Sequence, residues 1–180
     1  MAAQKIGMTL GEFVEYASLP ENADRRFEFI DGEIVEMAPG RTWNSGVGHL
    51  LAVAVHLFCR EHDLPCYTSG GDGDYDVQGH VVCPDFAYKP TPLSKDYPDP
   101  EPPLWVVEVI SPTDKAVEIR NKRQIYLQAG ILLWEMYPQK QSIDVYAPGQ
   151  PMHTVAVDGT LDVGDVLPGF TLAVKELFGE

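Results

Sequence analysis

Apolar and polar positions alternate in some stretches of this chain and recur at helical spacing in others; two stretches are almost unbroken apolar runs. Residues 9–20 place Thr9 as an N-cap and Glu12 three positions on. Phe13, Val14 and Ala17 follow at helical spacing, predicting a short helix closed by Pro20. "RFEFIDGEIVEM" alternates about Asp31-Gly32, a strong hairpin signal, with Phe27, Phe29, Ile34 and Met37 as its buried side. In "NSGVGHLLAVAVHLFCREHD", Asn44 or Ser45 can cap a helix. Leu50, Val53, Ala54, Leu57 and Phe58 recur there at i, i+3, i+4, i+7 and i+8. "CYTSGGDGDYDVQG" reads as a strand with loops, "HVVCPDFAYKP" as a short strand around Pro84-Asp85, and the proline-rich "TPLSKDYPDPEPP" as loop.

The two apolar runs, "LWVVEVI" and "ILLWEMY", read as buried strands. Between them, "PTDKAVEIRNKRQIYLQAG" reads as a helix capped by Ser111, Thr113 or Asp114. Val117, Ile119, Ile125 and Leu127 lie inside it and Gly130 ends it. "SIDVYAPG" is a further strand, and residues 161–180 give a turn, a short strand and a final helical turn. The order predicts one α/β or α+β domain over residues 1–180, with a mixed central sheet flanked by helices.

Glu108 breaks the first apolar run. An unpaired carboxylate in a buried strand costs several kcal/mol, so the fold must supply a cation, hydrogen-bond donors or a metal. Asp85, after Pro84, is a second carboxylate among apolar strand residues. If the two strands are neighbours, both acids reach one strand end. Two such acids suit Mg²⁺ or Mn²⁺, which takes one or two carboxylates together with phosphate oxygens, as in phosphodiester cleavage. Asp114, Glu118 and Lys122 share a helix face. Lys122 either pairs with Glu118 or reaches the site to stabilise developing charge.

Composition narrows the reading. Hydrophobic residues make up 44 %, enough for a core, and the net charge of −14 speaks against an extensive basic nucleic-acid face. Three cysteines without a CxxC pair suggest reduced thiols, and no apolar run approaches the roughly 18 residues of a membrane helix. A cytoplasmic protein without membrane contact is the expectation.

In order, "RFEFIDGEIVEM", His49, "VCPDFAY", "LWVVEVISPTD", "EIRNKRQIYLQAGI" and "LPGFTL" resemble the Uma-two family of the PD-(D/E)XK restriction-endonuclease-like superfamily, over nearly the whole chain. The resemblance implies a restriction-endonuclease-like fold, with an N-terminal helix and β-hairpin, around a divalent-metal site. It sets the superfamily's Asp on Asp85 and its second acid on Glu108. The usual lysine two residues later is Ile110 here; the family-like pattern displaces it to Lys122. A hairpin acid falls near Glu28 or Glu33, and a polar helix residue on His49.

Other readings of the same residues are plainer. Glu108 can form a buried ion pair with Lys122 or an arginine, Asp85 can serve a turn, and Lys115 competes with Lys122 by its proximity to Glu108. Glu28 and Glu33 can be exposed hairpin residues. His49 and His56 share a helix face but lack a third zinc ligand, and His56 is expected to pack. "DGDYD" lacks the Gly and Glu of a calcium loop, and Ser111 lacks a hydrolase elbow. The expectation is a Mg²⁺- or Mn²⁺-dependent endodeoxyribonuclease acting through Asp85, Glu108, Lys122 and His49. The alternatives are a catalytically silent interaction module or homodimer that keeps the fold, and a metal-dependent hydrolase of a small phosphorylated substrate.

Overall fold

The computed structural model describes residues 7–178. Helix α1 (Leu10–Ala17) opens as its sequence dictates. The Thr9 hydroxyl accepts from the Glu12 N–H and the Glu12 carboxylate reaches back to the Thr9 N–H, a reciprocal capping box. The helix ends at Ala17, and Pro20 begins a separate 3₁₀ turn. The hairpin pairs β1 (Phe27–Ile30) with β2 (Glu33–Glu36) around Asp31 and Gly32, both at positive φ.

This hairpin is half of a four-stranded antiparallel sheet in the order β2-β1-β5-β4, with β4 (Tyr75–Val77) and β5 (His80–Val82). Both faces of β1 are buried. Phe27 and Phe29 pack with Phe13, while Ile30 turns to the main core.

The central sheet has six strands in the order β10-β9-β8-β7-β6-β3: β3 (Tyr67–Gly70), β6 (Phe86–Lys89), β7 (Trp105–Val109), β8 (Leu132–Tyr137), β9 (Ser142–Tyr146) and β10 (His153–Ala156). Only the β7–β8 pair is parallel, and its crossover is α3 (Ala116–Gln128), as a parallel connection requires. One face of the sheet, with Phe86, Trp105, Val107 and Trp134, packs on α2 (Thr42–Glu61). The other, with Ala87, Val106 and Leu133, packs on Ile125 and Tyr126 of α3 and on the four-stranded sheet. The pair β11 (Thr160–Asp162) and β12 (Thr171–Ala173) and the short α4 (Val174–Phe178) close the α2 side.

Helix α2 does not bury the stripe that its Leu50, Val53 and Leu57 spacing suggests. Its inward residues are Val47, Gly48, Leu51, Val55 and Cys59. Two apolar stripes run along this helix, and Gly48 decides between them: a Cβ there would lie 2.8 Å from the Asp85 carbonyl oxygen. Only the Gly48 face can approach the sheet that closely. Helix α3 starts at Ala116 with no side-chain cap. Asp114 instead accepts from the Ser111 N–H at 2.6 Å and closes the turn ahead of it. Val117 and Leu127 are exposed. Gly130, at φ +70°, follows the helix end as expected.

Candidate active site

"HVVCPDFAYKP" is two strands rather than one. β5 ends at Val82 in the smaller sheet and β6 begins at Phe86 in the larger. Cys83-Pro84-Asp85 is the step between sheets, where proline forfeits no ladder hydrogen bond. Phe86 is paired with Val107, so the next positions outward, Asp85 and Glu108, face each other across the end of the strand pair.

Asp85 accepts the Val109 N–H through Oδ2 at 2.7 Å. Glu28, on β1, accepts the Cys83 N–H through Oε1 at 2.9 Å. Lys122 comes from α3 on the opposite side. Its Nζ lies 2.8 Å from Glu28 Oε1 and 2.8 Å from Glu108 Oε1, and it donates to the Cys83 carbonyl at 3.3 Å. One turn later on α3, Tyr126 donates its hydroxyl to Glu108 Oε1 at 2.7 Å. One ammonium thus holds two carboxylates from different sheets, with Asp85 alongside.

Burial dominates the electrostatics. It pushes the Glu108 carboxyl up to about 7 despite Lys122, and neighbouring Asp85 and Glu28 add to the rise. Burial also raises Asp85 above the usual carboxylate range, although the Val109 N–H and Lys122 oppose it. For Lys122, burial favours the neutral amine, but Glu108 and Glu28 outweigh it and hold the ammonium well above its ordinary range. The lysine is therefore charged at neutral pH, while Glu108 lies close to its midpoint.

A cavity of about 260 Å³ opens over Glu28, Asp85, Glu108 and Lys122, with Asp114 and Glu118 at its edge. A second of about 660 Å³ shares Asp85, Asn44 and Arg41 with it and contains His49 and Arg26. His49 is exposed there and bonds to the Ser45 carbonyl at 2.7 Å. It lines the second cavity together with Asp85 and does not line the cavity over the lysine cluster.

Several plainer expectations are corrected by this geometry. Glu118 pairs with Lys115 at 2.8 Å, on the surface, and not with Lys122. Glu28 is buried at 6 % exposure rather than lying on an open hairpin, because both faces of β1 are covered. Glu33 is exposed and lies outside both cavities. His56 does not pack inside; it is exposed and bonds to Thr68 Oγ1 at 3.1 Å.

Sequence reasoning passed over Glu135. It lies beside Glu108 in the parallel β7–β8 register and is 1 % exposed. Arg123 binds both its oxygens at 2.7 and 2.6 Å, and Tyr137 donates to it at 2.8 Å. Its signal was the same as that of Glu108, a carboxylate inside an apolar run. Tyr126 carried a weaker signal, its position four residues after Lys122.

Among the described residues, no group of three His, Cys, Asp or Glu side chains is arranged to hold a metal ion unaided. The donor chemistry nevertheless suits a hard cation that keeps waters and substrate oxygens. Asp85 and Glu108 each commit one oxygen to protein donors, Oδ2 and Oε1 respectively. Asp85 Oδ1 and Glu108 Oε2 take no hydrogen bond from a described residue.

A mixed sheet with acids facing each other at the end of the antiparallel β6–β7 pair, and a lysine from the crossover helix of the parallel β7–β8 pair, is a restriction-endonuclease-like fold. The chain belongs to the Uma2 family, described as "Putative restriction endonuclease", whose model matches residues 13–175. Among solved structures, it is similar to the crystal structure of "a putative nuclease belonging to DUF820" from Anabaena variabilis. The TM-score is 0.77 at 20 % identity, covering 96 % of this chain and 98 % of that one. No curated protein matches the chain.

Proposed function

We propose that the protein is a Mg²⁺- or Mn²⁺-dependent nuclease that hydrolyses phosphodiester bonds, with DNA as substrate. The observation that carries this reading is the convergence of Glu28, Asp85 and Glu108 on Lys122 at the floor of an open cavity. Asp85 and Glu108 are the metal-holding pair, and Glu28 anchors the lysine. A bound divalent cation supplies a water of lowered pKa and neutralises phosphate charge. Lys122 keeps its proton and presents fixed positive charge to the developing phosphorane oxygens. His49 and Arg41, in the cavity that shares Asp85, are the groups for the flanking phosphates. With the chain at −14, only a short stretch of substrate meets positive charge.

One observation favours a second reading, a catalytically silent module. Lys122 is an ion-pair partner of both Glu28 and Glu108, so the carboxylates have a protein cation of their own. Incubation of plasmid DNA and of a small aryl phosphodiester with Mn²⁺ separates the readings. Plasmid cleavage by the wild type and not by Glu108→Gln supports the nuclease. Cleavage of the small ester alone assigns a small phosphorylated substrate, and cleavage of neither assigns the silent module.

A further inference from the structure

Helix α2 carries a second apolar stripe that the fold leaves about half exposed. Trp43, Leu50, Val53 and Leu57 are 42, 50, 59 and 44 % exposed. Leu50, Val53 and Leu57 are turned away from Leu51, Val55 and Cys59, which fill the core, and Trp43, at the helix start, also stacks on Phe178 at 6.2 Å. Trp43, Leu50 and Leu57 recur every seven residues, and Gly46, Val53 and Arg60 form a second heptad row beside them. With Leu64 just past the helix end, 38 % exposed, the stripe presents on the order of 400 Å² of apolar surface, the size that marks a contact site on a soluble domain.

Gly46 is the second, independent observation. A glycine inside a helix costs about 1 kcal/mol relative to alanine. Its backbone is not at positive φ, and a Cβ there would meet nothing within 4 Å. Nothing within the subunit requires glycine at this position, whereas the close approach of another helix would.

We propose that this face of α2 pairs with the same face of a second copy of the chain, as two antiparallel helices. The stripe complements itself in that orientation. A register that sets Leu50 against Val53 of the partner subunit also sets Leu57 over Gly46 of the partner subunit, large against small. It brings Trp43 onto Arg60 of the partner subunit, a cation–π pairing. Glu61, at the C-terminal end, comes to the N-terminal turn of the partner helix. That turn has no side-chain cap in this chain, and an acid there is favourable. Along 20 residues the contact is about 30 Å long; with its polar margins it approaches the roughly 800 Å² per partner of a standard interface. Because each copy carries −14, added salt tightens this pairing by screening mutual repulsion.

Sedimentation equilibrium of the full chain, with Val53→Glu and Gly46→Leu, tests the proposal. The wild type is expected at twice the monomer mass, more so as sodium chloride is raised, and both variants at least tenfold weaker in self-association. Neither position is packed, so both variants should keep the circular dichroism spectrum and cooperative melting of the folded chain. A wild type that stays monomeric at high concentration overturns the proposal, as does a dimer indifferent to both substitutions. A monomer that binds anionic lipid vesicles, and loses them with Val53→Glu, overturns it in favour of a membrane surface.

Discussion

The Lys122 ammonium lies 2.8 Å from the Glu108 carboxylate, although one belongs to a helix and the other to the strand before it. Both are largely buried, with 14 and 13 % of their side chains exposed. The lysine holds a second carboxylate, Glu28, at the same distance from the other side. Such a lysine is at once a structural counter-ion and the cation available to chemistry, and the two roles make different predictions.

Removing it is expected to be costly. Lys122→Met leaves Glu28 and Glu108 buried without their cation, a change worth about 3–5 kcal/mol when one partner of a buried pair is lost. The loss should shrink as pH falls and the orphaned carboxylates take up protons. Lys115→Ala breaks only the exposed pair with Glu118 and should leave stability nearly unchanged. Urea melts of both variants at two pH values check this. A Lys122→Met protein as stable as the wild type would show that the carboxylates are not held by this ion pair. Any nuclease activity should vanish with Lys122→Met and survive Lys115→Ala.

Metal binding should depend on Glu108. Isothermal calorimetry with Mn²⁺ is expected to show at least tenfold weaker binding for Glu108→Gln, about 1.4 kcal/mol. Wild-type binding should strengthen as pH rises through about 7, where the Glu108 proton leaves and stops competing with the cation. Equal affinities in the two proteins would remove Glu108 from the ligand set.

The raised Glu108 carboxyl also shapes stability. Its ordinary value is 4.5 and burial brings it to about 7, so between these the folded chain holds a proton that the unfolded chain has released. The contribution of this group is fully present below pH 4.5 and is lost as pH rises through 7. The stability of the wild type relative to Glu108→Gln should therefore fall across that window and level off above it. Paired urea titrations across the window measure the difference, and a rise in place of a fall would refute the assignment. Saturating Mn²⁺ should flatten the slope, since a bound cation takes the place of the proton.

Gly48 should be sensitive far beyond its size. Gly48→Ala drives a methyl group to 2.8 Å from the Asp85 carbonyl, and backbone on both sides leaves little room to yield. Overpacking of this kind costs about 1–3 kcal/mol. It also moves Asp85 relative to Glu108, so Mn²⁺ affinity should drop along with thermal stability. Gly46→Ala, two residues earlier on the same helix with open space around it, provides the control. It should be neutral or stabilising in the monomer.

Where contacts within a few residues or the burial of a whole segment carried the signal, the sequence alone was decisive. The Thr9–Glu12 capping box, the Asp31-Gly32 turn, the Gly130 stop and the two apolar strands were all legible, because each rests on contacts within a few residues or on burial of a whole segment. The anomaly of Glu108 was legible for the same reason: a charge inside an apolar run needs a partner. Its partner was narrowed to Lys122, an arginine or a metal, and the structure shows the Lys122 pair. The helix spacing offered Glu118 to Lys122, and the fold gave Lys122 to Glu28 and Glu108, since only packing of α3 against two sheets brings those carboxylates within 3 Å. The inward face of α2 was also undetermined. Two apolar stripes fit one helical period, and the close approach of Gly48 to Asp85 chooses between them. That Glu135 joins Asp85 and Glu108 in one row was not legible, and the Asp85–Glu108 meeting rested on the two strands being neighbours. Strand register is a relation between segments distant in sequence, and hydrophobic periodicity records only which face of each strand is buried.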